Sequence, residues 1–258
     1  MRNYLILIFL MVCCTVSAQR NIFEDSIKLQ HVTDFLVDDY QNFYFYKKQN
    51  FSLTKFDSVG RQKGRQLLTL PFKVQNVQNP MNIVLFSENA QEIRFLDQNL
   101  NEVQKLDLRK FGFIRMAYVE DHQQIWLLDE SARRLIQYDF RADKIRNSYS
   151  FNISFEEIKD LIVFEQKAYL LRRSSFEIYD FQSRLLTTLP VDEGRELRRE
   201  NERFYILTQK NIALLTAENI LETVFSAANS GIVDKNSSAF FEVGSDKVYL
   251  YPIVKEGS

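Results

Sequence analysis

Cysteine is nearly absent: the 258 residues hold two, Cys13 and Cys14, and both fall in the first apolar run. Downstream of that run nothing can form a disulfide or a thiolate metal site. Glycine (7) and proline (4) are scarce, which excludes collagen-like and low-complexity classes. Gly60 and Gly64 stand isolated rather than in a phosphate-cradling loop, and no CxxC, HExxH or EF-hand spacing occurs. The two histidines, His31 and His122, have no cysteine partner and no G-x-S-x-G turn beside them. Both read as exposed turn residues rather than as the base of a nucleophilic pair. Charge of either sign is not in excess, with a formal net of −1, which removes the electrostatic case for nucleic acid as partner.

The one long apolar run lies at the start. Met1-Arg2-Asn3 carries a positive charge, Tyr4–Thr15 is apolar, and Val16-Ser17-Ala18 is a small-residue cleavage site. This is the pattern of a secretory signal over residues 1–18, too short to span a bilayer. Acylation at Cys13 or Cys14 is the competing reading, but Val12 or Cys13 precedes them where a small residue is wanted. The expected product is exported to the periplasm or cell surface, has no transmembrane segment, and comprises a single domain over residues 19–258.

That product is rich in aromatics, with 22 Phe and 12 Tyr, which suits a β core. Its apolar residues come as doublets of short runs. Phe43–Tyr46, Ile83–Phe86, Ile125–Leu128, Ala168–Leu171, Phe204–Leu207 and Ala239–Glu242 are each followed by a second run. The second runs are Leu53–Asp57, Ile93–Asp97, Leu135–Asp139, Phe176–Asp180, Ile212–Thr216 and Lys247–Tyr251. Aligned on the large residue before the aspartate, the repeat spacings are 40, 42, 41, 36 and 35. Six such units predict an all-β, six-bladed propeller of four-stranded blades. A first strand precedes the doublet (His31–Val37, Met116–Val119, Ile158–Phe164), and an outer one follows it (Glu102–Leu108, Lys144–Phe151). The aspartate closing the second run should accept backbone N–H groups of the next turn. The last unit has room for three strands, so the segment Asn21–Gln30 is expected to supply its fourth and close the ring. The most polar stretch, Val191–Arg203 (VDEGRELRRENER), reads as a solvated connection, and Phe155–Leu161 as a short helical turn.

The hairpin IWLLDESARRLIQYDF at Ile125–Phe140 resembles the repeat of NHL-type propellers, through Asp129, Arg134, Leu135, Tyr138 and Asp139. Leu53–Asp57 and Phe176–Asp180 share only the second strand of that pattern. The chain is also similar to TolB-like propellers and to the small exported propellers of Bacteroidota, whose signals end Ser-Ala before Gln. These groups contain both enzymes and interaction scaffolds, so the resemblance implies a fold and no particular activity.

Two functions follow as expectations. The first is a non-catalytic scaffold, a monomer without cofactor, binding an envelope protein, peptide or glycan through the turns inside each doublet. The candidate contact residues there are Lys47, Lys48, Glu88, Asp129, Glu130, Arg172, Arg173 and Lys210, whose chemistry varies from blade to blade while the strands repeat. The second is a calcium-dependent lactonase or esterase with its metal at the central channel, for which Asp34, Asn79, Glu120, Asp160 and Asp234 are the candidate ligands.

Overall fold

The computed structural model describes residues 20–21, 32–228, 231–244 and 247–253. The signal segment 1–18, His31 and residues 22–30 lie outside the described residues. Six four-stranded antiparallel sheets form the blades of a propeller. Blade 1 runs from its inner strand outward as Asp34–Val37, Phe43–Lys47, Ser52–Phe56 and Gln62–Leu67, and blade 2 as Lys73–Asn76, Ile83–Ser87, Glu92–Leu96 and Glu102–Asp107. Blade 3 comprises Ile114–Val119, Gln124–Asp129, Arg134–Asp139 and Lys144–Ser150, and blade 4 Ile158–Phe164, Lys167–Arg172, Ser175–Asp180 and Leu185–Pro190. Blade 5 comprises Gly194–Glu200, Arg203–Thr208, Asn211–Leu215 and Leu221–Ser226. Blade 6 has Ile232–Lys235, Ala239–Val243 and Val248–Pro252, and its outermost strand is Arg20–Asn21 from the other end of the chain. Arg20 pairs with Leu250 and Asn21 with Tyr249, so a strand from before blade 1 closes the ring, but it is Arg20–Asn21, and of the expected segment Asn21–Gln30 only Asn21 is among the described residues.

The doublets form the second and third strands of every blade, and their apolar positions fill the space between blades. Phe35 stacks on Phe45 with centroids 5.3 Å apart, and Phe241 of blade 6 meets Phe43 of blade 1 edge-on at 5.7 Å. Phe95 against Phe140, Tyr169 against Phe204, and Phe225 against Phe240 repeat the arrangement around the ring. The aromatic abundance therefore serves packing both within a blade, as at Phe35 and Phe45, and between blades, where rings bury a large area per residue.

The strand-ending aspartates behave as expected. Asp57 accepts the N–H groups of Val59 and Arg61, Asp97 those of Asn99 and Asn101, Asp139 those of Arg141 and Ala142, and Asp180 those of Gln182 and Arg184. In blade 5 Thr216 takes over, its hydroxyl accepting the Ile220 N–H. Two expectations fail. Val191–Arg203 is no solvated connection, since Gly194–Glu200 within it is the inner strand of blade 5; Leu197 is buried and its charged neighbours are paired in the channel. Residues 156–157 form a tight turn, and Ile158 already begins a strand, so no helical turn occurs there.

Few glycines do not mean few left-handed turns. Among the described residues thirteen that are not glycine have positive φ, including Gln41, Gln91, Asn201 and Asn219. Glycine is kept where a side chain has no room. Gly112 has φ +112°, and a Cβ there would sit 2.3 Å from the Ser131 hydroxyl and 2.7 Å from the Asp129 carboxylate. Gly112→Ala is expected to lower the urea midpoint by the equivalent of about 1–3 kcal/mol, because both the backbone conformation and the contact are strained.

Candidate functional site

An inner strand has one neighbour in its own blade, and its other edge faces the channel. In blades 2 to 5 this strand carries a β-bulge, which leaves Gln75, Arg115, Lys159 and Arg195 unpaired and re-aims their side chains. Side chains from the inner strands then cross between blades. Lys73 of blade 2 pairs with Asp160 of blade 4 at 2.6 Å and donates to the Lys159 carbonyl. Asp160 also accepts the N–H of Leu197 in blade 5 at 2.8 Å. Arg195 of blade 5 pairs with Asp34 of blade 1 and donates to the Val233 carbonyl of blade 6. Arg198 bridges Glu196 at 2.7 Å and Asp234 of blade 6 at 2.8 Å, and Asp234 accepts the N–H of Val37 at 2.6 Å. Lys235 pairs with Glu200 while lying over the Tyr205 ring.

This network has five carboxylates, Asp34, Asp160, Glu196, Glu200 and Asp234, against four cations, Lys73, Arg195, Arg198 and Lys235. Burial raises the Asp34 and Asp160 carboxyls against the pull of Arg195 and Lys73. It also raises Asp234, to about 6, with Arg198 opposing and Glu196 adding repulsion. For Glu196 burial is outweighed by Arg198 and Arg195, which lower it. Burial is thus the leading reason these three acids hold their protons more tightly than in water, and repulsion from Glu196 adds to it.

The channel ends in two cavities. At the face that carries the turns inside each doublet, a cup of about 540 Å³ draws on all six blades, with Lys48, Phe72, Phe86, Met116, Lys159 and Ile232 in its wall and Arg195 and Lys73 at its base. At the opposite face a smaller polar cavity of about 260 Å³ is lined by Asn76, Asn79, Tyr118, Glu120, His122 and Arg199. Glu120 there accepts the indole N–H of Trp126 at 2.8 Å, and the Arg199 guanidinium lies 4.0 Å over the Phe164 ring.

The eight residues expected on the binding face share that face but differ in surroundings. Lys48 and Glu88 reach the cup. Arg173 pairs with Glu193 at its rim at 2.6 Å, and Lys210 is exposed farther out. Lys47 ends its strand half-buried, and the Glu130 backbone N–H binds the Phe113 carbonyl. Asp129 is fully buried, its carboxylate holding Ser131, Ala132 and Arg134 in one turn. Arg172 is threaded inward to Glu177 and to the Ser154 and Glu156 carbonyls. Of the five proposed metal ligands, Asp34, Asp160 and Asp234 reach the channel network, each held by a cation, while Asn79 caps a turn through the Met81 N–H. Glu120 accepts the Trp126 indole, and no group of three acidic, His or Cys side chains arranged to hold a metal occurs among the described residues. The residues missed from sequence are Lys73, Arg195, Glu196, Arg198, Glu200 and Lys235. A usable signal existed: the repeat demands a strand before Phe204, and Glu196, Arg198 and Glu200 alternate with period two.

Arg198→Leu is expected to destabilise the protein by about 3–5 kcal/mol, since it strands two buried carboxylates. The pH dependence is also specific. A raised Asp234 means the native state takes up a proton that the unfolded chain does not, so this contribution is complete below pH 3.8 and is lost as pH rises through about 6. Urea midpoints measured across that range should fall with pH less steeply in Asp234→Asn than in the wild type.

No protein-family model matches the chain, and no curated protein matches its sequence. Solved structures do. A streptogramin B lyase aligns over 90% of this chain and 96% of its own length, with TM-score 0.57 and 10% identity. A catalytically inactive virginiamycin B lyase from Staphylococcus aureus, determined with quinupristin, aligns over 86% of this chain and 80% of its own, with TM-score 0.52 and 9% identity. At such identities the likeness is one of fold alone, and it agrees with the six-bladed ring described above.

Proposed function

We propose that the protein is a non-catalytic binding scaffold, exported to the periplasm or cell surface, that presents the doublet-turn face to a partner. One observation carries the reading: the acids at the centre of the ring are engaged by Lys73, Arg195 and Arg198 and by backbone N–H groups. A carboxylate so occupied is poorly placed to bind a cation, act as a base or attack a substrate. On the doublet-turn face, in contrast, Lys48 and Lys210 are exposed and have no ion-pair partner among the described residues. A calcium-dependent hydrolase on this frame would need the cation to displace those lysine and arginine partners.

The test pairs binding with turnover. Affinity capture from envelope extract should recover a defined partner, and reversing the face charges in Lys48→Glu/Lys210→Glu should lose it while Arg141→Glu, in a turn on the other face, keeps it. Lactones and aryl esters should not be turned over with or without calcium. Hydrolysis that a chelator abolishes would sink the scaffold reading.

A further inference from the structure

We propose that the cup at the channel mouth is a receptor for the free C-terminal end of a polypeptide, one that finishes in apolar side chains. The inference rests on the scaffold reading and names what that scaffold grips. Each acid in the wall of the cup is matched: Asp34 by Arg195, Glu88 by Arg115 at 2.7 Å, and Glu193 by Arg173. Lys48 and Lys159 line the same cup from opposite sides of the ring, in blades 1 and 4, and neither has an ion-pair partner among the described residues. Lys159 is near enough to Glu193 to help lower its carboxyl, but the partner in contact with Glu193 is Arg173. The cup therefore has a positive surplus and attracts an anion.

The wall says more about that anion. Phe72, Phe86, Met116, Ile158 and Ile232 border the space, so the ligand carries an apolar body beside its charge. Asn89 and Gln209, exposed in blades 2 and 5, also line it. A side-chain amide both donates and accepts, which matches a peptide group and not a hydrocarbon tail. The base is decisive for chain direction. The Lys73–Asp160 and Arg195–Asp34 pairs cross the channel there, so no strand can thread through. A chain end fits such a blind cup without having to leave again, and the chain end with negative charge is the carboxylate.

The experiment uses the full chain and two synthetic pentapeptide libraries, randomised at the last three positions. One library carries a free C-terminal carboxylate and the other a C-terminal amide. The carboxylate library should be enriched for apolar last residues, and selected peptides should bind at least tenfold more tightly than their amides, with affinity falling as salt is raised. Lys48→Glu/Lys159→Glu should lose at least tenfold, whereas Arg141→Glu should bind as the wild type does; circular dichroism and the urea midpoint establish that both variants fold. Equal selection from the two libraries, or binding indifferent to the lysine pair, would overturn the proposal. Octanoate binding as tightly as the best peptide would overturn it in favour of a free acid. If partner capture depends on the face while the libraries give nothing, this inference fails and the scaffold reading stands; peptide or ester cleavage would instead remove the scaffold reading.

Discussion

The structure depends on how the inner strands satisfy the backbone groups on their channel edge. A strand with only one neighbour leaves a row of N–H and C=O groups without a ladder partner, and burying them unpaired is costly. Here side chains from adjacent blades serve as partners. Asp160 takes the Leu197 N–H, Asp234 takes the Val37 N–H, Arg195 donates to Val233, and Gln91 both donates to the Ile114 carbonyl and accepts its N–H. Asn236 adds a bond to the Asp38 carbonyl across the blade 6 to blade 1 junction. One set of groups thereby stitches neighbouring blades together and fills the axis with charge. A channel occupied for structural reasons leaves binding to its mouths and faces.

That double use explains which parts could be read from sequence. Apolar doublets such as Ile125–Leu128 with Leu135–Tyr138 obey the period and spacing of paired strands, and their register in the structure follows them residue by residue. The turn aspartates were equally legible, because a carboxylate and the two N–H groups it caps are within four residues of one another. Gly194–Glu200 was not. Its strand pattern is written in charges, and charges signal a solvated surface unless their partners are known. Asp234 meets Arg198 only when blade 6 packs on blade 5, and Asp34, at the other end of the chain, meets Arg195 only once the ring has formed. The site residues divide the same way. Lys48 and Glu88 were legible as exposed turn charges, but nothing local distinguishes them from Asp129 and Arg172, which turn inward.

The scarcity of glycine and cysteine has a common counterpart. Without cross-links the blades rely on interdigitated rings, and rings need turns that hold strands in fixed register. Side-chain caps from Asp97, Asp139 and Asp180 do this without glycine, the Asp57 turn keeps Gly60 at its left-handed position, and elsewhere such positions fall to residues such as Gln41 and Asn219. Each such turn gives up some backbone ease in exchange for a side chain that can pack or bond.

The closing contact between Arg20–Asn21 and Tyr249–Leu250 sets an order on synthesis. Blades 1 to 5 can pair their own strands as soon as each is made, but blade 6 gains its last strand only from residues made at the opposite end. Until Val248–Pro252 emerges, the inner strand of blade 1 lacks a complete neighbour, and Asp234 has no finished sheet from which to reach Val37. The nascent chain is thus a growing arc with two exposed ends. A chain cut just before Val248 would keep almost the entire sequence and still be unable to close.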